Sequence, residues 1–253
     1  MEERDATIMI PGYGPGYLTD QCLMAVALTC RPGQIFVWDN GIDHQDLTEN
    51  QEPEVTRLLD QIYARSQEGR DLTGGVWNLG FAEACNRMAA EATTDLLVFL
   101  NCDTEPQPDW LATLVRAFDE PDVGVAGLRM TSPDGTLRHS GVRVILGGGL
   151  AWARESAEDL PTRDVPAVTG ACLAIRPDVF EAVGGFDAEF WNVFEDVDLC
   201  LRVLQLGYRV RYIREALVIH AVEATGEERY TRVFPQVVRF QKKWANSHVL
   251  SSS

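Results

Sequence analysis

Asn101, Cys102 and Asp103 follow five consecutive apolar residues, Leu96 to Leu100. Five apolar residues without alternation predict a strand buried on both faces, as in the middle of a parallel sheet. Open α/β sheets bind their ligands beyond the carboxyl ends of such strands. This end carries an amide and a carboxylate, with Glu105 close behind. A carboxylate at a strand tip can hold a hard divalent cation, and the cation can hold phosphates. The simpler reading is that Asp103 only caps the turn before a helix that starts near Asp109. A second acidic group lies at Glu195, Asp196 and Asp198, within one helical turn. Acids favour the first turn of a helix because of its dipole, which also favours their ionised form. Asp198 stands four residues before Arg202, the spacing of a surface ion pair, and is assigned to structure. Glu195 and Asp196 are left as groups able to take a proton from an incoming hydroxyl.

Other candidates cluster at predicted strand ends. His220 follows Leu217-Val218-Ile219 and is either a hydrogen-bonded structural group or a second ligand to a metal on Asp103. His139 has no such context and is left unassigned. Gly12-Tyr13-Gly14-Pro15-Gly16 follows the first strand, but its sixth position is Tyr17, so the dinucleotide fingerprint fails. Pro11 and Tyr13 still belong to a turn whose backbone can approach a nucleotide. Asp39, in Asp39-Asn40-Gly41, is either part of a plain turn or an acceptor for a nucleobase or ribose. Asn78 reads as a helix cap. With Gly80 it opens a helix, carrying Asn86, whose free N–H groups would suit an anion.

Strands are expected at 7–10, 34–38, 76–77, 96–100, 123–130, 142–146, 168–175, 208–213 and 217–219. Helices are expected at 17–29, 55–63, 80–92, 109–118, 178–183, 195–206 and 229–244. Asp134-Gly135 favours a hairpin. Gly147-Gly148-Gly149 and the polar stretch 154–164 read as the least ordered part, and 251–253 as a frayed tail. The strand–helix alternation predicts an α/β fold with a mostly parallel sheet flanked by helices.

The chain has 253 residues, 45% of them apolar, and a formal net charge of −16. That supports a sizeable core and excludes a basic nucleic-acid footprint. The charge also disfavours electrostatic binding to an anionic membrane. It leaves room for a phosphorylated ligand, since a metal ion reverses the local sign. The six cysteines are scattered, without zinc or disulfide spacing. No apolar run reaches membrane-spanning length and the start lacks a signal peptide's apolar stretch, so the cytoplasm is the expected compartment. No linker divides the chain. One domain over 1–250 is expected, in two parts that meet at about 105, the second running to about 225 and followed by a closing helix.

Taken in order, several segments resemble the family 2 glycosyltransferases with the glycosyltransferase-A fold. They are Val37-Trp38-Asp39-Asn40-Gly41, Asn78-Leu79-Gly80-Phe81-Ala82 through Asn86, and Leu100-Asn101-Cys102-Asp103 at the Asp-x-Asp position. Thr169 to Arg176, followed by Val183-Gly184-Gly185-Phe186-Asp187, resembles the acceptor-side segment. Phe194 to Arg202 resembles the Glu-Asp base helix. Two departures stand out: Asn101 replaces the first acid of Asp-x-Asp, and Pro11-Gly12 replaces the usual end of the first strand. The resemblance implies inverting sugar transfer from a nucleotide-diphosphate donor, by family frequency a UDP-sugar, to an acceptor hydroxyl. It implies Mn²⁺ or Mg²⁺ on Asp103, Asp196 as general base and Glu195 beside it. It also implies donor contacts from the strand-end residues Pro11, Tyr13, Asp39, Asn78, Gly80, Asn86 and Asn101. The acceptor is a glycan, a lipid-linked sugar or a protein; peripheral membrane association and oligomeric state are left open. The competing classes are a nucleotide-sugar-binding protein without chemistry and a nucleotidyltransferase. The latter needs a basic phosphate loop, and Pro11 to Gly16 holds no Lys or Arg.

Overall fold

The computed structural model describes residues 5–31, 34–43, 53–63, 67–68, 78–156, 158–221 and 228–250. The chain order is β1 (Ala6–Pro15), α1 (Gly16–Ala27), β2 (Ile35–Asp43), α2 (Pro53–Tyr63), β3 (Gln67–Glu68), α3 (Gly80–Glu91), β4 (Leu96–Leu100) and β5 (Thr104–Pro106). It continues with α4 (Trp110–Arg116), β6 (Val123–Thr131), β7 (Leu137–His139), β8 (Val142–Gly147), β9 (Leu150–Glu155) and β10 (Arg163–Asp164). Then come β11 (Cys172–Ile175), α5 (Pro177–Ala182), α6 (Glu195–Gln205), β12 (Arg209–His220) and α7 (Glu228–Trp244).

The main sheet has the order β10-β12-β6-β11-β4-β1-β2-β3. β2 and β4 pair parallel to β1, and β12 parallel to β6. β11 runs antiparallel between β4 and β6, so those two point the same way. The carboxyl ends of β1, β2, β4, β6 and β12 therefore share one edge. This is the expected mostly parallel α/β sheet. β4 is buried on both faces: Leu96, Val98 and Leu100 join the core under α1 and α4, while Leu97 and Phe99 join the core under α3 and α6. On that second face, Phe99 packs against Phe180 and Phe186 with centroids 5.4 and 4.9 Å apart, distances favourable for aromatic pairs.

Several boundaries differ from expectation for identifiable reasons. β1 continues through Pro11 and Pro15. Beyond Met9 it pairs only with β2, so prolines lacking an N–H are tolerated on its open side. The two strands expected at 208–213 and 217–219 are one strand, β12, with a register shift between Ile213 and Leu217. β11 covers only half of 168–175. The strand expected at 76–77 and the tail at 251–253 lie outside the described residues. The hairpin at Asp134-Gly135 forms, with β7 pairing back on β6.

The largest difference concerns 147–164. Gly147, Gly148 and Gly149 all have positive φ and turn β8 into β9, which pair in register from Val142↔Glu155 to Gly147↔Leu150. The polar stretch after it is tied down by ion pairs: Asp159 to Arg129 and Arg214, and Asp164 to Arg209 and Arg211. Polarity there reflects a charge-paired surface. Among the described residues no helix is long and apolar enough to cross a membrane. All six cysteines are buried and none is in a disulfide.

Candidate functional site

The shared carboxyl edge carries two adjoining cavities. The smaller, about 60 Å³, is walled by Pro11, Tyr13, Asn40, Asn78, Gly80 and Asp103, among others. Short polar side chains at and behind its wall hold turns; Asp39 stands behind, lining neither cavity. Asp39 Oδ1 accepts the N–H groups of Gly41 and Ile42, both at 2.8 Å. The turn reading of Asp39 is therefore realised at a buried position on the expected edge. Asn40 reaches across to α3: its amide donates to Gly80 O at 3.1 Å, and its Oδ1 accepts from Leu79 N at 3.0 Å. Asn78, expected to be the cap of α3, lies one residue before the observed cap position, Leu79, and its Oδ1 accepts from Gly80 N at 2.8 Å. Gly80 has φ +78°, and a Cβ there would lie 2.5 Å from both Trp191 Cδ1 and Trp191 O. Only glycine takes this conformation and approach without strain. Phe81 N donates to Trp191 O at 3.0 Å, so the first N–H groups of α3 already have internal acceptors. Asn86 lines neither cavity. Its amide brackets Phe186, donating to the carbonyl and accepting from the N–H at 2.8 Å each.

The second cavity, about 300 Å³, brings together Asn101, Asp103, His220, Glu195 and Asp196, together with Glu155. β5 pairs antiparallel with the end of β12, which sets His220 opposite Thr104 and beside Asp103. His220 Nε2 lies 3.1 Å from Asp103 Oδ1 and 3.5 Å from the Asn101 amide nitrogen. The Asp103 side chain is almost wholly buried. Its neighbour Cys102 is no thiolate ligand, because burial, helped by the Asp103 charge, pushes its thiol up to about 12. Among the described residues no group of three His, Cys, Asp or Glu side chains converges. The donor set is thus one carboxylate and one imidazole with an amide alongside. By its chemistry this is a suitable partial donor set for a hard divalent cation, and the nitrogen donor suits Mn²⁺ better than Mg²⁺.

α6 supplies the carboxylates, and their fates differ. Phe194, at the helix cap, is left-handed with φ +71°, and its ring stacks on Phe240 of α7 at 4.7 Å. Glu195 is buried. Asp196 keeps an accessible edge in the cavity while protein surrounds it. Its Oδ2 accepts from Gly170 N at 2.8 Å and its Oδ1 from Val197 N at 2.7 Å. Burial nevertheless raises its pKa above the ordinary carboxylate value; the two N–H groups oppose the rise, and the charge of Glu155 adds to it. The expected preference of a first-turn acid for its ionised form is outweighed by desolvation. Asp198 is no surface acid. Fully buried, it meets Arg202 Nε at 2.8 Å, Trp244 Nε1 at 2.8 Å and Lys243 Nζ at 2.7 Å. The pair at i, i+4 was correctly read, but as a core network tying α6 to α7.

Sequence reasoning missed Asn40, Trp191, Glu155 and His139. Asn40 stood inside a quoted motif. Glu155 was hidden in a stretch read as loop, since Leu150-Ala151-Trp152-Ala153 before it is apolar throughout and shows no apolar/polar alternation to mark a half-buried strand. His139, left unassigned, is buried and donates from Nδ1 to Glu155 Oε2, while its Nε2 accepts from Gly141 N at 3.3 Å.

Residues 59–184 match the model of glycosyl transferase family 2. The O-antigen biosynthesis protein RfbC of Myxococcus xanthus is 38% identical over 151 residues, covering 55% of this chain and 12% of its own length. The N-acetylglucosaminyl-diphospho-decaprenol L-rhamnosyltransferase of Mycobacterium tuberculosis (strain CDC 1551 / Oshkosh) is 28% identical over 247 residues, covering 85% of this chain and 76% of its own. The first three curated relatives are spanned over only 12%, 19% and 30% of their length. The fold is that of GalNAc-T7, solved with UDP, GalNAc and Mn²⁺. The TM-score is 0.67 at 15% identity, over 93% of this chain and 48% of that one. Sheet, cavity-lining segments and family match agree, and the chain belongs to glycosyl transferase family 2, with the glycosyltransferase-A fold.

Proposed function

We propose that the chain is an inverting glycosyltransferase, moving a sugar from a nucleotide-diphosphate donor to an acceptor hydroxyl. The observation that carries this is one cavity lined by both Asp103–His220 and Asp196. The donor lies with its nucleoside toward Asp39, Tyr13 and Pro11, and its diphosphate toward Asn101 and Asp103. Asn78 and Gly80 wall that side. Asp103 and His220 would hold a Mn²⁺ or Mg²⁺ ion, which when bound supplies a Lewis acid for the departing diphosphate. Asn86 contributes through Phe186.

Asp196 performs the proton chemistry. The acceptor oxygen attacks the anomeric carbon, the bond from that carbon to the diphosphate oxygen breaks, and the hydroxyl proton passes to Asp196. A raised pKa makes Asp196 a stronger base than an ordinary carboxylate, which suits it to this step. Glu195 orients the acceptor. A UDP-sugar is the first donor to test. A lipid-linked glycan is the preferred acceptor class, since one relative is named for a decaprenol diphosphate substrate. Thermal shift against UDP-, GDP- and dTDP-sugars with Mn²⁺ identifies the donor, because a bound ligand raises the melting temperature. Hydrolysis of that donor, lost in Asp196→Asn, supports the reading. Binding without any turnover under these conditions favours the chemistry-free alternative.

A further inference from the structure

Behind Asp196 stands a second acid–base pair that the reading above does not use. Glu155 ends β9 and lines the same cavity as Asp196; its side chain is 44% exposed. His139 ends β7 and is 1% exposed, with its ring edge-on to Tyr212. The imidazole is fixed at both nitrogens. Nε2 accepts from Gly141 N, so in the neutral ring the proton sits on Nδ1 and is donated to Glu155 Oε2. A buried imidazole thereby aims an exposed carboxylate. Three separate pairings create the arrangement: β7 on β6, β8 on β9, and the bridge from Val142 to Ala167 just before the Gly170 segment.

We propose that the His139–Glu155 pair positions the base: it presents one fixed negative charge to Asp196 in the acceptor cavity and so favours arrival of the acceptor's proton there. The proposal rests on the reading of Asp196 as base. The other charged groups facing the cavity are Glu195 on the same helix, Arg154 beside Glu155, and Asp103 and His220 from the metal side. Glu155 raises the proton affinity of Asp196 and is held by a dedicated buried partner, His139, which opposes that rise whenever its own ring is charged. The charge is useful because a carboxylate hydrogen-bonded by two backbone N–H groups is by itself a weak base.

Carbon-13 titration of the aspartate carboxyls in the ligand-free protein tests this, with the Asp196 signal assigned by its absence from Asp196→Asn. In Glu155→Gln the Asp196 midpoint should fall by roughly half a pH unit or more, since a like charge is removed. His139→Phe, which fills the space but cannot donate, should lower it too, and His139→Asn, which keeps a donor, should restore it. Nitrogen-15 spectra of the His139 ring should show the Nδ1–H tautomer. An Asp196 midpoint unmoved in folded Glu155→Gln overturns the proposal, even where Asp196→Asn abolishes donor turnover. Full turnover in Asp196→Asn overturns the base reading itself and with it the functional part of the proposal.

Discussion

The two sides of the sheet's carboxyl edge use the same residue types in opposite ways. Beside the smaller cavity, Asp39, Asn40 and Asn78 spend their oxygens on backbone N–H groups two to 39 residues away, and the result is a set of rigid turns. Across the edge, on the side proposed to take the acceptor, Asp196, Glu195 and Glu155 share one cavity, and burial and like charge push the Asp196 pKa upward. The first side is preorganised for binding, where polar groups must stay in place whatever the protonation state. The second keeps carboxylates in an environment that favours taking a proton. Two acids on one helix make the contrast sharper. Asp198, two residues beyond Asp196, is neutralised by Arg202 and Lys243 inside the core.

The contrast can be broken by substitution. Asp196→Asn should reduce turnover by about 10²–10⁴-fold, the usual contribution of a general base, while nucleotide affinity by calorimetry stays unchanged. In the unaltered protein the acid limb of turnover should lie above 3.8, the ordinary value for Asp, because the base must be deprotonated and its pKa is raised. Asp198→Asn should do the reverse, costing about 3 kcal/mol in denaturant unfolding because Arg202 and Lys243 lose a buried partner. The pH midpoint of turnover should not move. Gly80→Ala should cost about 2 kcal/mol, from a left-handed backbone and the clash with Trp191, and should also weaken nucleotide binding. Asp103→Ala should weaken Mn²⁺-dependent binding of the nucleoside diphosphate by at least about tenfold with little change in melting temperature, an effect on ligand alone. Equal affinity with and without EDTA would remove the metal from the donor side.

How much was legible depended on whether local pattern or distant pairing decided the outcome. The unbroken apolar run of β4 announced a strand buried on both faces, and the acids after it and at the start of α6 announced the edge. Both follow from residues adjacent in the chain. The β8–β9 hairpin was hidden because three glycines and a polar stretch look like a loop. Only its register and the ion pairs of Asp159 and Asp164 reveal the order. Asp198 was misplaced for the same reason. Its partner at i+4 was visible, but Trp244 and Lys243 lie 46 and 45 residues on. The burial that turns a surface pair into a core network comes from α7, which no local window contains.

The left-handed turn at Phe194 ties Glu195 and Asp196 to that same helix. A non-glycine residue in this conformation costs about 1 kcal/mol or more and persists only where its surroundings impose it. Here the imposing surface is the Phe240 ring, itself buried. The acidic start of α6 and the closing helix are therefore inherited as one piece. A chimera that joined residues 5–221 to a foreign closing helix would keep every polar side chain of the cavity. Without a planar ring at position 240 the turn would relax, and Glu195 and Asp196 would lose their aim together.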